Sequence, residues 1–147
     1  MGHYKIKTGF HRMDLGSIHY FISKESYWAQ NVPFEIVEKS LKNSFCIGVF
    51  DSEDKQIGFA RIISDRATFG YLSDVFVLKQ YRGEGVSKAM LQYITNIKWI
   101  KQLRRFVLFT EDAQMLYSRY GFRSLSDSEK YMEIVQDNMY KTPIKSK

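Results

Sequence analysis

The sequence contains a single cysteine and no long apolar run among its 147 residues. One cysteine cannot form an internal disulfide, and Cys46 lies in the apolar segment Phe45–Ile47, where a buried structural thiol is expected rather than a nucleophile. No apolar run approaches the roughly 18 residues that cross a bilayer, and residues 1–10 have no apolar secretory core. These absences predict a protein of a reducing compartment, the cytoplasm, with no membrane partner.

The excess of positive charge is mild, with 22 Lys and Arg against 16 Asp and Glu. A solvated surface accounts for such an excess, and an anionic ligand such as a phosphorylated cofactor would account for it more specifically. The basic residues are scattered except in two clusters, at 98–105 and 141–147, and no recognised nucleic-acid-binding motif is present. A nucleic-acid-associated protein is therefore a weak alternative that depends on charge alone.

The length predicts a single domain, residues 1–147, and the apolar pattern predicts strands and helices in mixed order. Strands are predicted at 5–9, 45–50, 56–64, 71–78, 106–110, 123–125 and 131–135. Helices are predicted at 17–29, 33–43, 86–97 and 113–120. The strand–helix–strand unit at 71–110 predicts a parallel pair with a crossover helix, whereas the pattern at 45–64 predicts an antiparallel hairpin. The expected fold is therefore a mixed α/β sheet.

Two glycines follow the predicted strand at 71–78 and precede a predicted helix. Gly83 and Gly85 allow a tight turn in which the backbone can approach a ligand closely. The free N–H groups of the first helical turn and the helix dipole suit a pyrophosphate, and Arg82 adds a positive charge beside them. The pattern lacks the Gly-Lys-Ser/Thr end of a Walker loop and the third glycine of a dinucleotide fingerprint. By itself it is equally consistent with a structural turn.

Two spaced segments, Gln80–Gly85 and Asp112–Phe122, resemble the motifs of a known family, the GCN5-related (GNAT) N-acetyltransferases. The segment Gln80–Gly85, with the pattern Gln-x-x-Gly-x-Gly, resembles the family's acyl-CoA-binding signature. The segment Asp112–Phe122, with an Ala, then Leu-Tyr, then Gly-Phe, resembles its later motif, at a matching separation. Gln56–Arg61 is similar to the family's third strand, and Ser26–Ala29 is similar to one uncharacterised bacterial branch. The likeness covers the chain from about Phe45 onward.

The resemblance implies the GNAT fold, a central, mostly antiparallel mixed sheet with a splayed parallel strand pair, flanked by helices. It implies acetyl-CoA as the acyl donor and no metal, and His3, His11 and His19 show no metal-ligand pattern. The acetyl group would pass directly to a primary amine of a small molecule or peptide, without an acyl-enzyme. A non-catalytic acyl-CoA-binding or sensing module of the same fold is the alternative. Because family members are often homodimers, a homodimer is a further expectation.

The resemblance also implies which residues bind the cofactor. The backbone groups of Phe76, Val77 and Leu78 would pair with the pantetheine arm like an added strand. The pyrophosphate would be held by the amides of the loop and the first helical turn, which are those of Arg82, Gly83, Glu84, Gly85, Val86 and Ser87. Asp112 and Tyr117, from the second motif, are expected near the cofactor as well.

The same resemblance suggests the catalytic residues. Tyr117 stands where the family often has its general acid, and a phenol with a pKa of about 10 is protonated at neutral pH and can donate to the leaving thiolate. A packed core aromatic is the alternative for Tyr117. Asp74 is the first candidate for the general base, with Tyr71, Glu111 and Asp112 as rivals and a structural hydrogen-bonding role as the alternative. The family often has a glutamate nearer the position of Tyr71, which leaves the base open.

The acceptor pocket is expected between the N-terminal helices and the last strands. Its candidate residues are Tyr27, Trp28, Arg61 and Tyr71. Trp28 could stack on a substrate or make a core or lid contact. Arg61 could meet a carboxylate of the acceptor or pair with an acidic residue of the chain itself, Asp65 or Asp74.

Overall fold

Five strands form one sheet in the computed structural model, which describes residues 3–140. In chain order and in sheet order they are β1 (Lys5–Thr8), β2 (Phe45–Phe50), β3 (Gln56–Ser64), β4 (Phe69–Val77) and β5 (Arg105–Leu108). Strands β1 to β4 pair antiparallel with their neighbours, and β5 pairs parallel with β4. The expected mixed, mostly antiparallel sheet is therefore confirmed.

Five α-helices within residues 3–140 pack around this sheet. They are α1 (Leu15–Tyr20), α2 (Phe34–Lys42), α3 (Val86–Thr95), α4 (Lys98–Lys101) and α5 (Gln114–Ser118). Helix α1 continues as a π-helical turn to Glu25, and the predicted helix at 17–29 therefore ends earlier than expected. It ends because Ser26 is extended and its hydroxyl donates to the carbonyl of Ile22 at 2.6 Å. Within residues 3–140, no helix has the length and apolar character needed to span a bilayer.

Two buried clusters hold the helices against the sheet. One cluster packs α3 and α4 on the sheet and contains Ile47 and Met90, and the other packs α1 and α2 on it and contains Cys46 and Leu41. Neighbouring residues of β2 enter different clusters because successive side chains of a strand point to opposite faces. Cys46 is fully buried, as expected, and burial raises the pKa of its thiol to about 11.

Strands β4 and β5 separate after a short paired stretch. Their register begins with Phe69 opposite Arg105 and ends with Leu72 opposite Leu108, which is the last residue of β5. Strand β4 continues to Val77 without β5 beside it. The expected splayed parallel pair is therefore present, and it leaves a gap along the second half of β4.

A β-bulge lies in the same half of β4. Phe76 pairs with Phe59 and Ser73 pairs with Arg61, so that β4 has one residue more than β3 between these pairs. Asp74 lies in the bulge with a φ of 54°, a conformation that Asp and Asn tolerate better than most residues with a side chain. The bulge changes the direction of the chain where the gap begins.

Two strands predicted near the C-terminus are not formed. Residues 123–125 and 131–135 have no strand conformation, and Met132 and Ile134 are 95% and 92% exposed. A strand requires a neighbour for its backbone groups. Here the contact with β5 is made by side chains, because Arg105 donates to the hydroxyl of Tyr131 and lies over its ring. The prediction was wrong because apolar alternation indicates strand propensity but not whether a partner edge is reached.

Candidate active site

The turn after β4 holds both motif glycines in a left-handed conformation. Gly83 and Gly85 each have a φ of 81°, where a residue with a Cβ is strained. Gly85 immediately precedes α3, so the first N–H groups of α3 have no acceptor within the helix. A Cβ at Gly83 would meet nothing within 4 Å, so this part of the turn is open. The turn and the start of α3 form an open cradle of N–H groups that fits a pyrophosphate.

Two charged side chains beside the cradle are bound to other protein groups. Arg82 Nε donates to the carbonyl oxygen of Val77 at 3.0 Å. The carboxylate of Glu84 accepts a hydrogen bond from the hydroxyl of Tyr4, which raises the pKa of Tyr4 to about 12. Both side chains are thus held by protein contacts beside the main-chain N–H groups of the turn.

The edge of β4 that faces the gap offers main-chain groups. Leu78 N–H donates to the Ile57 carbonyl of β3 at 2.8 Å. Because successive residues turn their N–H and C=O groups toward opposite edges of a strand, those of Val77 face the gap. Phe76 and Val77 are buried, so this edge is lined by apolar side chains. Val77 N–H is thus a donor directed at the separated part of the sheet, whereas Leu78 N–H is already used by β3.

Asp74 joins the N-terminal loop to the sheet. Its Oδ1 accepts from Trp28 Nε1 and its Oδ2 from Arg61 Nε, each at 2.8 Å. The side chains of Arg61 and Asp74 are 14% and 8% exposed, so most of this ion pair is shielded from water. Both carboxylate oxygens therefore have a donor, which favours the structural alternative for Asp74 over a free general base.

The structure also distinguishes the two acidic partners considered for Arg61. Arg61 pairs with Asp74, and its Nη1 donates to Ser44 Oγ at 3.1 Å. Asp65 instead accepts from the backbone N–H groups of Ala67 and Thr68 in the turn between β3 and β4. Two donors of the guanidinium group are thus bound within the protein.

Three tyrosines interact electrostatically with one another, and one of them, Tyr71, also interacts with this ion pair. Tyr71, on β4, is half-buried; burial raises its pKa, and the charges of Asp74 and Arg61 act on it in opposite directions. Burial also raises the pKa of Tyr117 to about 12, with smaller contributions from Tyr27 and Asp112. Tyr27 acts electrostatically on both of the other phenols.

Four of the six residues expected to be catalytic or to bind the acceptor are joined by contacts, and the other two, Tyr71 and Tyr117, are linked to them electrostatically. The ring of Tyr27 is 5.0 Å from that of Trp28 in an edge contact, and Trp28 reaches Asp74. The phenol of Tyr117 lies within electrostatic reach of Tyr27. Tyr117 also packs its ring against Phe122, so its position is compatible with both the acid role and the core role that the sequence left open.

Two neighbours of this group were missed by sequence reasoning. Phe109 is 74% exposed and makes an edge contact with Tyr71 at 5.3 Å. Ser44, the residue before β2, accepts a hydrogen bond from Arg61 on β3. A large aromatic residue just before the second motif could have identified Phe109, whereas Ser44 carries no sequence signal.

A groove of about 660 Å³ runs along β5 and α5, and Tyr117 and Gln114 are among the residues that line it. The ring of Tyr117 therefore borders open space on one side. Among residues 3–140, no group of three or more His, Cys, Asp or Glu side chains is arranged to hold a metal ion.

Comparison with known proteins identifies the family. The family model described as an acetyltransferase (GNAT) domain matches residues 43–124, which is more than half of the chain. A crystal structure described as a putative acetyltransferase of the GNAT family, from Xanthomonas campestris, superposes with a TM-score of 0.92. It is 40% identical, and the match covers 97% of this chain and 99% of that one. The chain belongs to the GNAT family of acetyltransferases.

More distant relatives agree with this assignment. A curated protein of Gibberella zeae, named "Putative acetyltransferase FG08082", is 28% identical over 137 residues, which cover 80% of this chain and 77% of that protein. The structure of glucosamine-6-phosphate N-acetyltransferase from Arabidopsis thaliana is 12% identical, with a TM-score of 0.66, and covers 92% of this chain and 99% of that one. At that identity the second likeness demonstrates the fold alone.

Proposed function

We propose that this protein is an acetyl-CoA-dependent N-acetyltransferase that passes the acetyl group directly to a primary amine. The observation that carries the proposal is the gap beside Val77, which begins at the Asp74 bulge and ends at the glycine cradle. An extended, anionic thioester needs this combination, since its arm can pair with a strand edge while its pyrophosphate meets helix N–H groups.

The chain's own groups define the donor half of the site. The N–H groups from Arg82 to Ser87 would hold the pyrophosphate, and Val77 N–H would donate to the thioester carbonyl. Acetyl-CoA, when bound, supplies an activated acyl group. A donor at the carbonyl oxygen stabilises the negative charge that develops there when an amine attacks.

Tyr117 is the proposed general acid. The amine nitrogen forms a bond to the thioester carbon, the carbon–sulfur bond breaks, and the leaving sulfur takes the phenolic proton. A pKa raised to about 12 keeps the phenol protonated throughout the physiological range. Asp112, whose charge contributes to the raised pKa of the same phenol, is proposed to lie beside acetyl-CoA.

Asp74 is proposed to position the site, because both of its oxygens are already hydrogen-bonded. The proton lost by the attacking amine would then go to water or to one of the other candidates, Tyr71, Glu111 or Asp112. Of these, Tyr71 lies on β4 within electrostatic reach of Tyr27.

Thiol release from acetyl-CoA, measured with a panel of primary amines, tests the function. We expect amine-dependent turnover, and we expect Tyr117→Phe to lower kcat at least tenfold with little change in CoA affinity, as is typical for loss of a general acid. Tyr120→Phe is the matched control, since Tyr120 is also partly buried on the same segment. An unchanged kcat in Tyr117→Phe would remove the acid role. CoA binding without turnover on any amine would instead identify a sensing module.

The proposal extends to location and assembly. We propose the cytoplasm, where the free thiol of Cys46 stays reduced. We also propose a homodimer, because Met132 and Ile134 are exposed near β5, the last strand in the described part of the chain. Light scattering that gives the mass of one chain at micromolar concentration would refute the dimer.

A further inference from the structure

We propose that the acceptor is a primary amine that carries no carboxylate next to its reacting nitrogen and has an aromatic or apolar body. This class is narrower than the proposed function on which it rests, because amino acids are excluded. The juxtaposition that carries it is an arginine neutralised by Asp74 within a set of exposed aromatic side chains.

The first observation concerns charge. Arg61 is the cation joined by direct contacts to the acceptor-side residues, and a carboxylate-bearing acceptor would need a cation of this kind. Its Nε is bound to Asp74 at 2.8 Å, and its Nη1 is bound to Ser44. Recruiting Arg61 for a substrate carboxylate would leave Asp74, which is 8% exposed, without its counter-charge. The pair therefore offers a nearly neutral surface to the acceptor.

The second observation concerns the neighbouring acidic residues. Glu111 and Asp112 follow β5 and are exposed, and Asp112 acts on Tyr117 in the direction expected of a negative charge. Negative charge beside Tyr117 favours a cationic or neutral acceptor over an anionic one. An amine in its ammonium form meets this condition better than a molecule that also carries a carboxylate.

The third observation concerns the aromatic side chains. Tyr27, Trp28 and Phe109 are 54%, 40% and 74% exposed although each makes an aromatic edge contact. Trp28 contacts Asp74 and Phe109 contacts Tyr71, so both rings reach side chains of β4. Exposed rings held in fixed orientations bind an apolar or aromatic body well, and their faces also attract cations.

Matched acceptors test the inference on the full-length protein. Tryptamine, tryptophanamide and tryptophan share one indole body, and only tryptophan carries a carboxylate. Because their amines differ in pKa, kcat/KM is compared per neutral amine. We expect tryptamine and tryptophanamide to exceed tryptophan at least tenfold, and tryptophanamide to separate the effect of charge from that of size.

A substitution at Asp74 tests the cause. Asp74→Asn keeps an oxygen for Trp28 and the tolerated backbone conformation, but it removes the charge that neutralises Arg61. We expect it to move the tryptophan-to-tryptamine ratio of kcat/KM toward tryptophan by about tenfold, the effect of one partly shielded charge contact. Asp54→Asn is the matched control. Asp54 lies in the turn after β2 and also has a positive φ, of 63°, but its carboxylate pairs with Lys7 of β1 rather than with Arg61.

The possible outcomes distinguish a wrong acceptor class from a wrong proposed function. Turnover of tryptophan equal to or above that of tryptamine in the unmodified protein would overturn the acceptor class while leaving the acetyltransferase intact. An unchanged ratio in Asp74→Asn, with retained turnover, would overturn the role given to the ion pair. If Asp74→Asn does not fold, the ratio in the unmodified protein decides. No turnover with any amine would overturn the proposed function and this inference with it.

Discussion

The ion pair between Arg61 and Asp74 makes a quantitative prediction about stability. Arg61→Leu leaves the Asp74 carboxylate with the Trp28 indole as its remaining donor. Removing one partner of a buried ion pair costs 3–5 kcal/mol in general, and the retained hydrogen bond places this variant at the lower end, about 3 kcal/mol. For a domain of 147 residues this corresponds to a fall in Tm of about 6–12 °C.

Urea denaturation followed by tryptophan fluorescence and by circular dichroism measures this cost. The double variant Arg61→Leu, Asp74→Asn removes both charges, so its cost should be smaller than the sum of the single costs by about 1–3 kcal/mol. Lys130→Met is the control, because Lys130 and Asp127 form an exposed pair that should contribute nothing measurable. A loss below about 1 kcal/mol in Arg61→Leu, or strictly additive single costs, would refute the structural role of the pair.

Three further predictions concern the cradle, the acid and the buried thiol. Gly85→Ala and Gly9→Ala both place a Cβ at a φ between 81° and 102°, so both variants should lose about 1–2 kcal/mol of stability. Calorimetry should find weaker CoA binding in Gly85→Ala alone. Equal CoA affinity in the two variants would refute the cradle. The pKa of Tyr117 is raised to about 12, so the phenol should keep its proton up to about pH 10 and kcat for a neutral amine should not fall over that range. A decline in kcat centred near pH 8 would show that another group is the general acid. Cys46, with a pKa raised to about 11, should not react with a thiol reagent at pH 8 until urea unfolds the protein, and complete labelling of the native protein would contradict its burial.

The sequence was most informative where local chemistry dictates the conformation. Both glycines of the turn adopt the left-handed conformation that their lack of a side chain permits, and α3 begins directly after them. Strands β2 and β3 begin and end at the predicted residues because their apolar, β-branched runs stop at a polar turn. The parallel pairing of β4 and β5 followed from the intervening helix.

The sequence misled where a partner in space was required. The segments 123–125 and 131–135 have strand-like patterns but do not join the sheet, since their main chain meets no neighbouring strand in the described residues. The helix predicted at 17–29 ends at Glu25 because a single side-chain hydrogen bond, from Ser26, stabilises an extended conformation there. Neither outcome is encoded in periodicity, which reports only which face of an element would be apolar.

By itself the sequence determined the family, the hairpin of β2 and β3 and the position of the turn with Gly83 and Gly85, because each depends on residues that are close along the chain. The tertiary structure alone decided what Asp74 and Arg61 do. Trp28 is 46 residues from Asp74, and Arg61 is 13 residues from it on the neighbouring strand. Only the fold brings these groups within 2.8 Å, and burial then makes either charge costly without its partner.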